Sequence, residues 1–189
     1  MRHITVPTGP MARVVLIIIS GLPGTGKSYF SSKISERVPI TIVETDVMRK
    51  ILFTSPTYSA AENSRLFSAC HALVEKLLRN GRSVLFDATN LIEHNREQLY
   101  AIAYKSEAKL IIVRVEAPFE VVSERLRKRE SGDIDISADN STANLSVYRR
   151  MISSVEPIRK NHFAVDTSSD INPVIDKIVR EMHLWVKFR

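Results

Sequence analysis

Gly21-Leu22-Pro23-Gly24-Thr25-Gly26-Lys27-Ser28 fits the pattern GxxxxGK[ST]. This spacing lets backbone N–H groups close around phosphates, brings a lysine to the β and γ oxygens and offers a serine hydroxyl to Mg²⁺. The octet follows an apolar run at residues 14–19 and precedes a helix-compatible stretch, the strand–loop–helix setting in which the pattern is a phosphate cradle and not a bare turn. All eight residues are therefore assigned to a nucleoside triphosphate. Lys27 is also assigned to the transferring phosphoryl group and Ser28 to the metal.

Two carboxylates follow strand-like runs. Asp46, in Glu44-Thr45-Asp46-Val47-Met48-Arg49, falls at the carboxyl edge of the expected sheet, where open α/β folds bind ligands. It could accept the proton of an attacking hydroxyl, and Arg49, three residues on, could anchor a phosphate of the acceptor. Glu44, two residues before it, is the competing base. Asp87, in Asp87-Ala88-Thr89-Asn90, could hold Mg²⁺ through water, with Thr89 and Asn90 bonding acceptor or phosphate. A third group, Arg125 and Arg129, shares one face of a basic helix and could neutralise charge on the transferring phosphoryl. Arg149 and Arg150 are further candidates to face the cleft.

Several chemistries are disfavoured. No acidic residue follows Asp87 directly, unlike the Asp-Glu pair of AAA-type motor ATPases, and neither DxxG nor NKxD of GTPases occurs. The five histidines have no metal-site spacing. The one cysteine, Cys70, lies among Leu66, Phe67, Leu73 and Val74 and reads as a small buried hydrophobe in a cytoplasmic chain.

These side chains need a scaffold. Apolar, β-branched runs at residues 14–19, 40–43, 83–86, 110–115 and 163–165 alternate with helical patterns at 27–37, 61–80, 93–105, 118–130, 146–155 and 173–187. That alternation predicts an α/β fold, a parallel sheet with helices on both faces. The 189 residues suit one domain, 1–189, with residues 1–12 as an extension and the polar stretch 131–144 as a lid or loop. No apolar run approaches the ~20 residues of a membrane span. The net charge of +6 suits an anionic ligand, which the nucleotide already supplies in part.

With GLPGTGKS, ETDVMR, DATN and RLRKRE in chain order, residues 14–167 resemble the P-loop kinases related to polynucleotide kinase. The resemblance implies a three-layer P-loop fold on a five-stranded parallel sheet, ATP with Mg²⁺, and transfer of the γ-phosphoryl group to a hydroxyl. It carries the lysine and serine roles to Lys27 and Ser28, the general base to Asp46, the acceptor-phosphate arginine to Arg49 and the lid arginines to Arg125 and Arg129. The acceptor stays open between a polynucleotide 5′-hydroxyl and a small sugar, metabolite or antibiotic. A nucleotide-binding module without catalysis is the alternative class.

Overall fold

In the computed structural model, which describes residues 13–131 and 143–187, five parallel strands form one sheet in the order β2-β3-β1-β4-β5. The strands are β1 (Val15–Ser20), β2 (Thr41–Glu44), β3 (Val84–Asp87), β4 (Lys109–Glu116) and β5 (Phe163–Asp166). The helices are α1 (Lys27–Ser35), α2 (Thr45–Leu52), α3 (Ala60–Arg79), α4 (Glu93–Lys105), α5 (Phe119–Glu130), α6 (Leu145–Ile152) and α7 (Asn172–Lys187). The expected extension, 1–12, and most of the expected lid, 131–144, lie outside the described residues. Among the described residues no helix is long and apolar enough to cross a membrane.

β1 is buried along its whole length because both of its faces carry branched apolar side chains. Val15, Ile17 and Ile19 pack with Phe30 and Ile34 of α1 and Ile175, Ile178 and Met182 of α7. Leu16 and Ile18 pack on the other face with Leu66, Cys70 and Val74 of α3 and Leu99 of α4. Period-2 alternation on a central strand thus divides the core between two helical layers. At about 25 cal/mol per Å² of apolar surface, each fully buried Ile or Leu contributes roughly 1.5–3 kcal/mol, so the scaffold rests chiefly on this strand.

Element edges differ from the sequence reading by no more than three residues. Gly81 terminates α3 as expected, with φ 75° and its N–H bonded to the Leu78 carbonyl at 2.9 Å. α2 is the larger difference. β2 stops at Glu44 and the chain turns straight into a helix that carries Asp46 in its first turn, and both Glu44 and Asp46 line the same cleft.

Candidate nucleotide and acceptor cleft

The turn between β1 and α1 is built on left-handed glycines. Gly26 has φ 87°, and a Cβ there would lie 2.9 Å from the Thr167 hydroxyl oxygen. A Cβ at Gly21 would collide with the Val115 carbonyl oxygen. Both positions therefore exclude any side chain, for conformation at one and space at the other. Inside the turn the Thr25 hydroxyl donates to the Leu22 carbonyl at 2.8 Å, and Lys27 Nζ donates to the same oxygen at 3.0 Å. The Leu22 side chain packs beside Val122, Leu126 and Tyr148, tying the loop to α5 and α6.

Two neighbouring segments clamp this loop. At its entry, the Gly21 N–H donates to the Thr89 carbonyl at 3.0 Å, Ser20 Oγ to the Asn90 carbonyl at 3.1 Å, and Asn90 Nδ2 to the Ile19 carbonyl at 2.6 Å. Thr89 and Asn90, expected on acceptor or phosphate, line the cleft and also hold β3 to β1. Behind them Arg96, fully buried, donates to the carbonyls of Asn90 (2.7 Å), Glu156 (3.1 Å) and Pro157 (2.9 Å) and pairs with Glu93. At the loop's other end Thr167 Oγ1 donates to the Thr25 carbonyl at 2.6 Å. Arg125 grips the same threonine, through Oγ1 at 2.8 Å and the carbonyl at 2.9 Å. Arg125 therefore joins α5, the end of β5 and the phosphate loop. Arg129 and Arg150 line the cleft as well.

Sequence reasoning missed Arg96, Thr167 and Glu62. Thr167 bonds a backbone carbonyl 142 residues distant, and Arg96, beside its local bonds to Asn90 and Glu93, reaches carbonyls 60–61 residues away, which no local pattern announces.

Asp87 is 3% exposed at the end of β3 and accepts from Ser31 Oγ at 2.9 Å and from Ser28. Burial pushes its pKa up, and the nearby Lys27 charge and the serine hydroxyls pull against that, while the Asp46 charge adds to the rise. A carboxylate and a hydroxyl side by side are the hard oxygen donors Mg²⁺ prefers, so Ser28 and Asp87 fit this ion. Among the described residues no three His, Cys, Asp or Glu side chains cluster to hold a metal. Such an ion would take its other ligands from phosphate oxygens or water.

Arg49 is buried between α2 and α3. Its NH1 pairs with Glu62, its NH2 donates to Asn63 Oδ1 at 2.6 Å, and its guanidinium stands 4.6 Å over the Tyr58 ring. Glu62 also accepts from the Thr57 N–H at 2.5 Å and hydroxyl at 2.8 Å. Burial by itself raises the Glu62 pKa, but the bonds from Thr57 and Arg49 together outweigh it and leave the carboxyl below its ordinary value. The cleft that these groups share, about 1620 Å³, runs from Gly24 and Lys27 past Asp46 and Arg49 to Phe67, His71 and Gln98.

Residues 16–158 match the AAA_33 family, an AAA domain. Uncharacterized proteins of Mycobacterium tuberculosis and Mycobacterium bovis are 26% identical over 157 residues, covering 76% of this chain, which spans about a third (32%) of their length. L-seryl-tRNA(Sec) kinase of Methanococcus maripaludis is 28% identical over 116 residues, 59% of this chain and 44% of that protein. Among solved structures, the Mycobacterium tuberculosis APS kinase CysC in complex with AMPPNP and APS is 14% identical with a TM-score of 0.64, covering 90% of this chain and 98% of that one. A chain of the Pnkp1/Rnl/Hen1 RNA repair complex is 22% identical with a TM-score of 0.61, covering 79% and 46%. The five-stranded parallel sheet with its flanking helices is the P-loop kinase fold of these neighbours.

Proposed function

The chain belongs to the AAA_33 family, and on that premise we propose that it is an ATP- and Mg²⁺-dependent kinase acting on a hydroxyl acceptor. The observation that carries this reading is the single cleft in which Lys27, Ser28 and Asp87 share an opening with Asp46. Its volume exceeds the roughly 300–1,000 Å³ of a typical single-ligand pocket, leaving space for a second substrate beside the nucleotide. In the reaction the acceptor oxygen bonds to the γ-phosphorus as the bond to the β–γ bridging oxygen breaks and ADP leaves. Asp46 takes the hydroxyl proton, Lys27 and Arg129 meet the developing charge, and Ser28 and Asp87 would hold Mg²⁺, which would supply neutralising charge at the phosphates. Arg125 supports the loop from behind. Kinases among the relatives and structural neighbours, acting on seryl-tRNA and APS by name, support phosphoryl transfer without choosing the acceptor.

Incubation with γ-labelled ATP, Mg²⁺ and pools of sugars, nucleosides, aminoglycosides and 5′-hydroxyl oligonucleotides tests the proposal. Label is expected in one acceptor class, lost in a folded Lys27→Ala protein. Asp46→Asn is expected to lower transfer by about 10² to 10⁴ while ATP affinity, read by calorimetry, changes little. Tight ATP binding with no labelled acceptor would point to a nucleotide-binding module instead, and a collapse of ATP affinity in Asp46→Asn would make Asp46 a nucleotide or metal ligand.

A further inference from the structure

The cleft is electrically lopsided. Of the lysines and arginines that line it, Lys27 stands on α1, Arg125 and Arg129 on α5 and Arg150 on α6. The wall made by α2, α3 and α4 brings one arginine or lysine among the described residues, Arg49. That guanidinium is 9% exposed and in contact with a Glu62 carboxylate that is 6% exposed. Glu62 is fixed in turn by the Thr57 N–H and hydroxyl and the Tyr58 N–H. The remainder of the wall carries no other lysine or arginine among the described residues, and its two histidines are His71 and His94, the latter exposed beside Glu97. Glu44 and Asp46 stand at one end, Ser64, Phe67 and Ser68 follow along α3, and burial lowers the pKa of His71, opposed by its bond to Gln98. His71 is accordingly neutral near pH 7.

Resting on the kinase reading above, we propose that this wall takes an uncharged, hydroxyl-rich small molecule, and that Glu62 determines this choice by neutralising Arg49. An acceptor phosphate approaching α2 meets two carboxylates at the cleft surface and an arginine whose charge is already matched at contact distance. Like charges facing a ligand reject it more effectively than added attraction selects its rival. A sugar-like acceptor meets serine hydroxyls, an asparagine at position 95 and the apolar face of Phe67, groups suited to hydroxyls and C–H surface. The arginine at the position expected to grip a phosphate thus serves to hold the α2–α3 junction.

The test uses the whole protein loaded with Mg²⁺ and AMPPNP, so that the phosphate loop is filled, titrated calorimetrically with inorganic phosphate. Wild type and Arg49→Ala are expected to bind phosphate equally weakly. Glu62→Gln, which keeps an acceptor for Thr57, is expected to bind it about tenfold or more tightly, and Arg49→Ala in that background to reverse the gain. Phosphate binding by wild type that Arg49→Ala removes, or a folded Glu62→Gln protein without a gain, overturns the proposal. If Glu62→Gln does not fold, the comparison of wild type with Arg49→Ala decides alone. A second arm compares labelled transfer to a sugar and its 6-phosphate, and to a nucleoside and a 5′-hydroxyl oligonucleotide. A kcat/KM about tenfold higher for the unphosphorylated member of each pair is expected, and the reverse order overturns the proposal. Absence of transfer to every acceptor sinks the kinase reading instead, and the calorimetry still decides the charge preference of the wall.

Discussion

At the scale of single residues, Asp87 carries a conflict between folding and chemistry. Its carboxyl is buried and its pKa raised, so between the unfolded and the folded pKa the folded protein binds more protons than the unfolded chain. Stability then falls as pH rises through that window, the opposite of an ordinary paired aspartate. Asp87→Asn removes the buried charge while keeping a partner for Ser31. We expect thermal melts of the nucleotide-free variant to show a gain of about 0.5–2 kcal/mol at neutral pH and a flattened acid-to-neutral slope, with Mg²⁺-dependent transfer lost. A variant no more stable than wild type would mean that Lys27 and the serines already compensate the charge. The phosphate loop was legible in the sequence because its spacing is itself the chemistry. The pairing of Arg49 with Glu62 was not, since the sequence reading gave Arg49 a phosphate of the acceptor, and the carboxylate that reaches it lies 13 residues away on the next helix.

At the scale of elements, five branched apolar runs announced five strands, and four of the six expected helices begin within one residue of the observed start and end within one of the observed end. α2 escaped because it follows β2 with no intervening turn signal, and the sequence reading, which put Asp46 just past the strand at the sheet's edge, set no helix there. The joint between the phosphate loop and the end of β5 also escaped, and it offers a prediction. Thr167→Val keeps the shape but removes a hydroxyl that donates to Thr25 and accepts from Arg125. The buried Thr25 carbonyl loses a partner, at about 1–3 kcal/mol, while the half-buried Arg125 keeps its bond to the Thr167 carbonyl. We expect a lower melting temperature together with weaker ATP binding, because the loop's backbone donors are no longer held in register. Unchanged ATP affinity in calorimetry would show that Gly21 and Asn90 alone fix the loop.

At the scale of the whole molecule, the two apolar layers on either side of β1 make the sheet one cooperative body, and Cys70 reports on it. The thiol is fully buried beside Leu66 and Val74 and pushed up to about 11, chiefly by burial. Thiolate chemistry there requires opening of the α3 layer. Labelling with a maleimide, followed by mass spectrometry, is expected to run on the order of 10³-fold or more slower in native buffer than in denaturant. ATP with Mg²⁺ should slow it further if opening is global. Rapid native labelling would show that α3 moves independently of the sheet. The Thr167–Thr25 bond has one more consequence, for synthesis of the chain. The phosphate loop leaves the ribosome first, and the hydroxyl that secures it follows 142 residues later. A nascent chain has its glycine loop long before it has the joint that holds the loop, and a ligand of that loop can reward folding only once Thr167 has been made.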